Sequence, residues 1–307
     1  MELLSVAVPR MHDDEVDVDE ALVGRLLASQ LPALLGRRLR KIEAWGTDHA
    51  IFRLGDDLSV RVPKIGWAKE QGEKERRWLP VLAPHLPIEV PVPVAIGEPA
   101  EGYPFHWYVA PWLEGENPGP HGPVDQRQLA VDLAANVVAL QRIDATGAPT
   151  PGPGRRGGPL AGADETTRGS AERLRGEVDV DALLAVWDAG LHAPGWDRAP
   201  VWVHGDLSDG NLLVREGRLS GVIDWGGLVA GDPAVELMVA WNLFDAGARD
   251  AYREALGFVD EAMWLRGRAW ATSAAIQALP YYRESNPDIV ARSWRAVHAV
   301  LADHESR

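Results

Sequence analysis

The pattern of apolar and polar positions splits the chain in two. Between Arg40 and Trp112 the apolar residues come in short runs broken by turn chemistry. Lys41–Trp45, Ala50–Leu54 and Leu58–Val62 are separated by Gly-Thr-Asp and Gly-Asp-Asp, which predicts a meander of three antiparallel strands. Pro93–Gly97 and Phe105–Trp112 read as two more strands. One helix interrupts them, Trp67 to Ala83, with Trp78, Leu79 and Leu82 as its apolar stripe. Another helix opens the chain from Glu20 to Leu35, with Asp19 as N-cap and Gly36 as stop.

Beyond Trp112 helical spacing takes over. Leu129, Leu133, Val137 and Leu140 mark a helix over 125–143. Others are expected near 167–176, 179–190, 233–244, 247–256, 260–283 and 287–303. Ala148 to Gly162 is dense in Pro and Gly, carries Arg155 and Arg156, and reads as a loop that shapes a pocket. Within this helical half, Val201–Val203, Leu212–Val214 and Leu219–Ile223 return to strand-like runs.

Those runs bracket polar loops holding His204, Asp206 and Asn211, then Asp224-Trp225-Gly226. The pattern is H-x-D-x-x-x-x-N, with D-W-G beginning thirteen positions after the Asn. Moving a phosphoryl group onto a hydroxyl needs a carboxylate to take the hydroxyl proton and hard oxygen ligands for divalent metal. Asp206, Asn211 and Asp224 are such groups in the order of a kinase centre. Each fragment alone would be an ordinary turn. All three together, on two strand–loop–strand units, point to phosphoryl transfer.

With H-G-D in place of H-R-D and D-W-G in place of D-F-G, the stretch resembles the aminoglycoside phosphotransferase family, small-molecule kinases of the protein-kinase-like fold. The segments RGGPL and ALLAVWDAGL extend the likeness. The resemblance implies an α+β, bilobal fold. An N-lobe over 1–112 would hold a five-stranded antiparallel sheet with helices, and a mostly helical C-lobe over 113–307 the catalytic loop and acceptor pocket. It implies Asp206 as catalytic base, Asn211 and Asp224 as Mg²⁺ ligands, and ATP or GTP in the cleft. Gly46-Thr47-Asp48-His49 would be a shortened phosphate-covering loop, with Thr47 and His49 at the nucleotide. Arg61 stands in for the strand lysine, with Lys64 as the alternative, and Glu75 is set against that cation. Backbone from Ala110 to Leu113 would receive the base. Asp232 reads either as a simple helix cap or as a brace for the catalytic loop.

Composition narrows the partners. The 307 residues are 46% apolar and 25% charged, enough for two cored lobes. No apolar run reaches the roughly 18 residues of a membrane span, and the N-terminus turns acidic early, so a cytoplasmic protein without secretory signal is expected. The absence of cysteine excludes disulfides, thiolate nucleophiles and zinc–thiolate sites. A net charge of −14 argues against nucleic acid and suits a cationic acceptor. The expected function is therefore ATP- or GTP-dependent O-phosphorylation of a small, polycationic, aminoglycoside-type antibiotic. Asp164, Glu165, Asp245 and Glu284 are candidate readers of its ammonium groups. The alternatives are a kinase for a macrolide, sugar or amino alcohol, and a nucleotide-binding pseudokinase, which only the substituted strand lysine favours. The sequence leaves the oligomeric state open.

Overall fold

Short alternating runs and turn residues build the first half of the protein. A computed structural model describes residues 15–42, 48–119, 122 and 124–305. Helix α1 (Glu20–Gln30) starts where Asp19 accepts the Leu22 N–H at 2.7 Å, the expected cap. It ends five residues before the expected Leu35, because Pro32 begins a 3-10 turn. Strands β1 (Leu39–Lys41), β2 (His49–Leu54), β3 (Leu58–Pro63), β4 (Ala95–Gly97) and β5 (Trp107–Pro111) form one antiparallel sheet in the order β1-β2-β3-β5-β4. Its register places Arg61 opposite Ile51 on one side and Tyr108 on the other. The end of the first expected strand, Glu43 to Trp45, lies outside the described residues, as do Gly46 and Thr47.

The helix expected over Trp67–Ala83 is two pieces, a 3-10 turn at Gly66–Glu70 and helix α2 (Gln71–Leu82). Its stripe does not serve the sheet alone. Leu79 and Leu82 belong to the core of the helical half, and Trp78 packs edge-on against Trp202 at 4.9 Å.

That half contains α3 (Gln126–Gln141), α4 (Asp164–Glu172), α5 (Val180–His192), α6 (Val239–Asn242), α7 (Ala246–Leu256), α8 (Glu261–Tyr282) and α9 (Pro287–Glu305). Strand β6 (Val201–Val203) pairs with β9 (Val229–Gly231), and β7 (Leu212–Arg215) with β8 (Arg218–Val222). Strand β9 was not anticipated. It has three residues, and its partner lies far away in sequence. The helix expected over 233–244 begins as a 3-10 turn, Pro233–Met238, before α6.

Burial follows two clusters. One lies under the sheet around Phe52, Val60, Val62, Trp107 and Val109; the other, larger, runs through the helices around Trp187, Trp202, Trp225, Trp241 and Trp264. Burying such side chains contributes about 1.5–3 kcal/mol each, so both lobes carry their own core. This is the bilobal, kinase-like α+β architecture, and the site lies where the clusters meet. No helix among the described residues is long and apolar enough to cross a membrane.

Candidate active site

Strand β6 delivers the chain into His204-Gly205-Asp206. Gly205 has φ 79°, and a Cβ on it would stand 3.0 Å from the Gly227 carbonyl oxygen. Only glycine lets this loop lie against the D-W-G loop backbone to backbone. The Gly205 N–H donates to Glu236 Oε1 at 2.8 Å. Glu236 is 1% exposed. Burial pushes its carboxyl up to about 7, against the pull of the Gly205 and His204 amides.

His204 knits the loops together. Its Nδ1 accepts the Asp206 N–H at 3.2 Å, and Nε2 lies 3.1 Å from the Ile223 carbonyl oxygen. Those partners place the ring proton on Nε2 and leave the ring neutral. Burial agrees, pushing its pKa down to about 4. The ring stands edge-on to Trp225 at 4.8 Å. Ile223 returns the connection by donating its N–H to Asn211 O at 2.9 Å.

The three chemically suggestive groups therefore share one network. Asn211 Nδ2 donates to Asp206 O at 2.8 Å and to Asp206 Oδ2 at 3.3 Å. Arg156, from the Pro/Gly-rich loop, forms an ion pair with Asp206 Oδ1. Asp224 follows Ile223 in the left-handed region at φ 62°, ψ 66°, a costly conformation for a non-glycine residue and one that concentrates at working sites. Its side chain is hemmed in by protein yet 41% open to the cleft. Burial pushes its pKa up to about 6; Arg61 opposes the shift, and the Asp206, Glu75 and Asp48 carboxylates add to it.

Arg61 is 7% exposed, lies over the Tyr108 ring at 5.7 Å, and pairs through Nη2 with Asp224 Oδ1 at 3.9 Å. Lys64 points its ammonium to Glu15 instead, at 3.5 Å. Glu75, 1% exposed, makes no ion pair with Arg61. It accepts the Tyr108 hydroxyl at 2.5 Å and the Trp225 N–H at 3.0 Å. Lys74 Nζ reaches Gly226 O at 2.6 Å, so α2 grips the D-W-G loop twice.

Arg61 Nε, His49 Nε2, Gln71 Oε1 and Glu236 Oε2 are buried here without a hydrogen-bond partner among the described residues. His49 is 5% exposed, and burial, then Arg61 and Lys64, hold its ring neutral. An orphaned guanidinium nitrogen beside a carboxylate fits an absent anion. Ala110 O receives Ser59 Oγ at 3.2 Å, and Leu113, half-buried, reaches towards Gly221. Thr47 lies outside the described residues.

A hard cation also fits. The amide nitrogen of Asn211 is committed to Asp206, which leaves Oδ1 for a metal beside the Asp224 carboxylate. Among the described residues no group of three His, Cys, Asp or Glu forms a metal cage. Mg²⁺ needs none, since one or two protein oxygens and substrate phosphates hold it.

Sequence reasoning missed two residues. One is Glu236, the brace of the His204–Asp206 loop; a lone acid inside the apolar run PAVELMVAW was its signal. The role had been offered to Asp232, which instead caps the next turn through the Ala234 N–H and pairs with buried Arg266 at 2.8 Å. The other is Arg156, noted only as part of its loop. Of the four acids proposed to read ammonium groups, Asp164 is held by Arg168 and Trp187 Nε1, and Asp245 caps α7. Glu165 and Glu284 are exposed.

Comparison with known proteins agrees with this geometry. The chain is similar to the GDP complex of an aminoglycoside 2'-phosphotransferase-IIIa, with TM-score 0.74 and 18% identity over 93% of this chain and 99% of that one. It is similar to APH(2")-IIa in its streptomycin–ATP ternary complex, with TM-score 0.60 and 17% identity over 91% and 95%. It is also similar to a macrolide 2'-phosphotransferase of Brachybacterium faecium, with TM-score 0.59 and 25% identity over 92% and 98%. Comparison with curated protein sequences gave no match. Residues 38–270 match the family model described as the phosphotransferase enzyme family, APH, and span the sheet, the His204–Asn211 loop and the D-W-G loop. The chain belongs to the phosphotransferase enzyme family.

Proposed function

We propose that this enzyme transfers the terminal phosphoryl group of ATP or GTP to a hydroxyl of a small molecule, within two lobes that meet near residues 112 and 113. The observation that carries the reading is the single network joining Asp206, Asn211 and the Asp224 loop, with half-open carboxylates facing a cleft and buried Arg61 beside them. The nucleotide–Mg²⁺ complex, when bound, supplies the electrophilic phosphorus. Asn211 Oδ1 and Asp224 are the oxygens to hold the metal. Arg61 offers its unpartnered Nε to phosphate. Asp206 holds the acceptor hydroxyl and takes its proton as the new O–P bond forms and the bond to the leaving diphosphate breaks. His204 and Glu236 touch none of the reacting atoms; they hold the Asp206 loop in place. Positioning and fixed charge carry most of such a reaction.

Solved relatives support nucleotide use and favour an antibiotic as acceptor. They include aminoglycoside phosphotransferases in complex with kanamycin, gentamicin and streptomycin, and a macrolide 2'-phosphotransferase. The net charge of −14 favours the cationic acceptors among these; the surroundings of Asp206 favour a less charged one, as argued below. A coupled nucleotide-consumption assay across aminoglycosides, macrolides and small alcohols tests the reading. Turnover is expected with at least one class, and Asp206→Ala is expected to abolish it while nucleotide still binds. Near wild-type turnover in that variant would remove Asp206 from the role of base.

A further inference from the structure

The Pro/Gly-rich loop before α4 is pinned to the ribbon that carries the catalytic loop. Gly157, φ 85°, sits where a Cβ would meet Val203 and Val229 at 3.3 and 3.2 Å. Its carbonyl accepts the Asp232 N–H at 2.8 Å, and a Cβ on Gly231 would lie 2.3 Å from that same oxygen. Pro149 O accepts the Ala230 N–H at 2.8 Å. These are close backbone contacts on β9, so Arg156 is fixed in place next to glycines that cannot carry side chains there.

From that position the Arg156 guanidinium covers Asp206. Nη1 pairs with Oδ1 and lies 3.4 Å from the Gly205 carbonyl oxygen. The pair is not sealed; the side chains are 39% and 42% exposed. Asn211 holds the other carboxylate oxygen. The neighbouring carboxylate on the catalytic loop, Asp209, faces Arg292 and Arg295 of α9. The other titratable groups that feel Asp206 or Arg156 are the Tyr282 phenol, the buried His204 and Glu236, and the Asp224 carboxylate, while Asp48 accepts from Gln71 at 3.2 Å. Asp164 and Asp245 are occupied elsewhere.

We infer that Arg156 sets the charge of the acceptor cleft, so that the site takes a hydroxyl compound with at most one positive charge and turns polycations away. This rests on the phosphotransfer reading above. A polycation brings several ammonium groups next to its reacting hydroxyl, and one of them meets Arg156 at the oxygen the hydroxyl must reach. Juxtaposed like charges are a common device for rejecting the wrong partner. The guanidinium has donors beyond Nη1, and these suit an ether or hydroxyl oxygen beside the phosphorylated position.

The test is calorimetric titration of the wild type and of Arg156→Ala, Arg156→Gln and Arg156→Lys, with AMP-PNP and Mg²⁺ present and at low salt. The probes are kanamycin, a polycation, and erythromycin, which carries one amine. Thermal melts confirm that each variant is folded. The expected result is that kanamycin binds at least tenfold tighter to the Ala and Gln variants than to the wild type. Lys keeps the wild-type weakness, and erythromycin gains nothing from losing the charge. The inference is overturned if kanamycin already binds the wild type as tightly as the Ala variant, or if Lys behaves like Ala. Equal tightening of both probes also overturns it, since Arg156 would then be a steric plug. Binding of AMP-PNP and of GMP-PNP in the same series checks the underlying reading separately. Absence of both sinks phosphotransfer itself, whereas intact nucleotide binding without the charge ordering sinks only the role of Arg156.

Discussion

At the scale of single residues, the site divides into groups that face the cleft and groups that hold them. Asp206 and Asp224 face it, each a little over two-fifths exposed, at 42% and 41%. Asp206→Asn keeps the shape and the Asn211 contact but cannot take a proton. Its kcat is expected to fall by roughly 10²–10⁴-fold, the usual worth of a general base, with nucleotide affinity nearly unchanged in a binding titration. Asp224→Asn acts on the other side of the reaction. It replaces an anionic ligand by a neutral one, so the Mg²⁺ concentration needed for half-maximal activity is expected to rise about tenfold or more, because hard cations favour carboxylates. An unchanged Mg²⁺ requirement would put the metal elsewhere. These residue types and their order were readable in the chain, because the chemistry of metal and proton dictates which side chains can serve. Arg156 was not readable as a partner of Asp206. Fifty positions separate them, and nothing local to either one announces the contact.

At the scale of elements, α2 is the coupling piece. Glu75, expected against Arg61, adds its charge to the carboxylates that Arg61 faces and also accepts from the Tyr108 hydroxyl and the Trp225 amide, so it ties β5, α2 and the D-W-G loop together. Tyr108→Phe removes the donor and leaves one oxygen of a buried carboxylate unpaired. The expected cost is about 2 kcal/mol in urea unfolding, along with a loss of nucleotide affinity as the D-W-G loop loosens. If stability falls while nucleotide binding stays the same, α2 is only structural. The apolar period of α2 announced a helix and its stripe, but not the surface it packs on. Its residues lie in the chain between strands β3 and β4, yet Leu79 and Leu82 enter the core of the helical half. Strand β9 was missed for a related reason. A three-residue strand has too little pattern to see, and its pairing with β6 is a long-range event.

At the scale of the whole molecule, the buried acid Glu236 links stability to pH. Its folded pKa of about 7 lies above its ordinary value of 4.5. Between those values the folded protein binds the proton and the unfolded chain does not, so stability falls as pH rises through the window and levels off above 7. The group is 1% exposed, and the shift corresponds to a decline on the order of 3 kcal/mol at most. Glu236→Gln can still accept the Gly205 amide, and its unfolding free energy is expected to lose that slope between pH 5 and 7. A slope as steep as in the wild type would assign it to other groups. The strand-rich and helical halves and most of the helices were legible in the sequence alone, because turn residues and hydrophobic period are local or compositional. Which carboxylate meets which cation was decided only in the folded chain: Arg61 with Asp224, Arg156 with Asp206, Glu236 under Gly205. Those pairings depend on where distant segments stop against each other, and packing sets those stops where no nearby pattern in the chain records them.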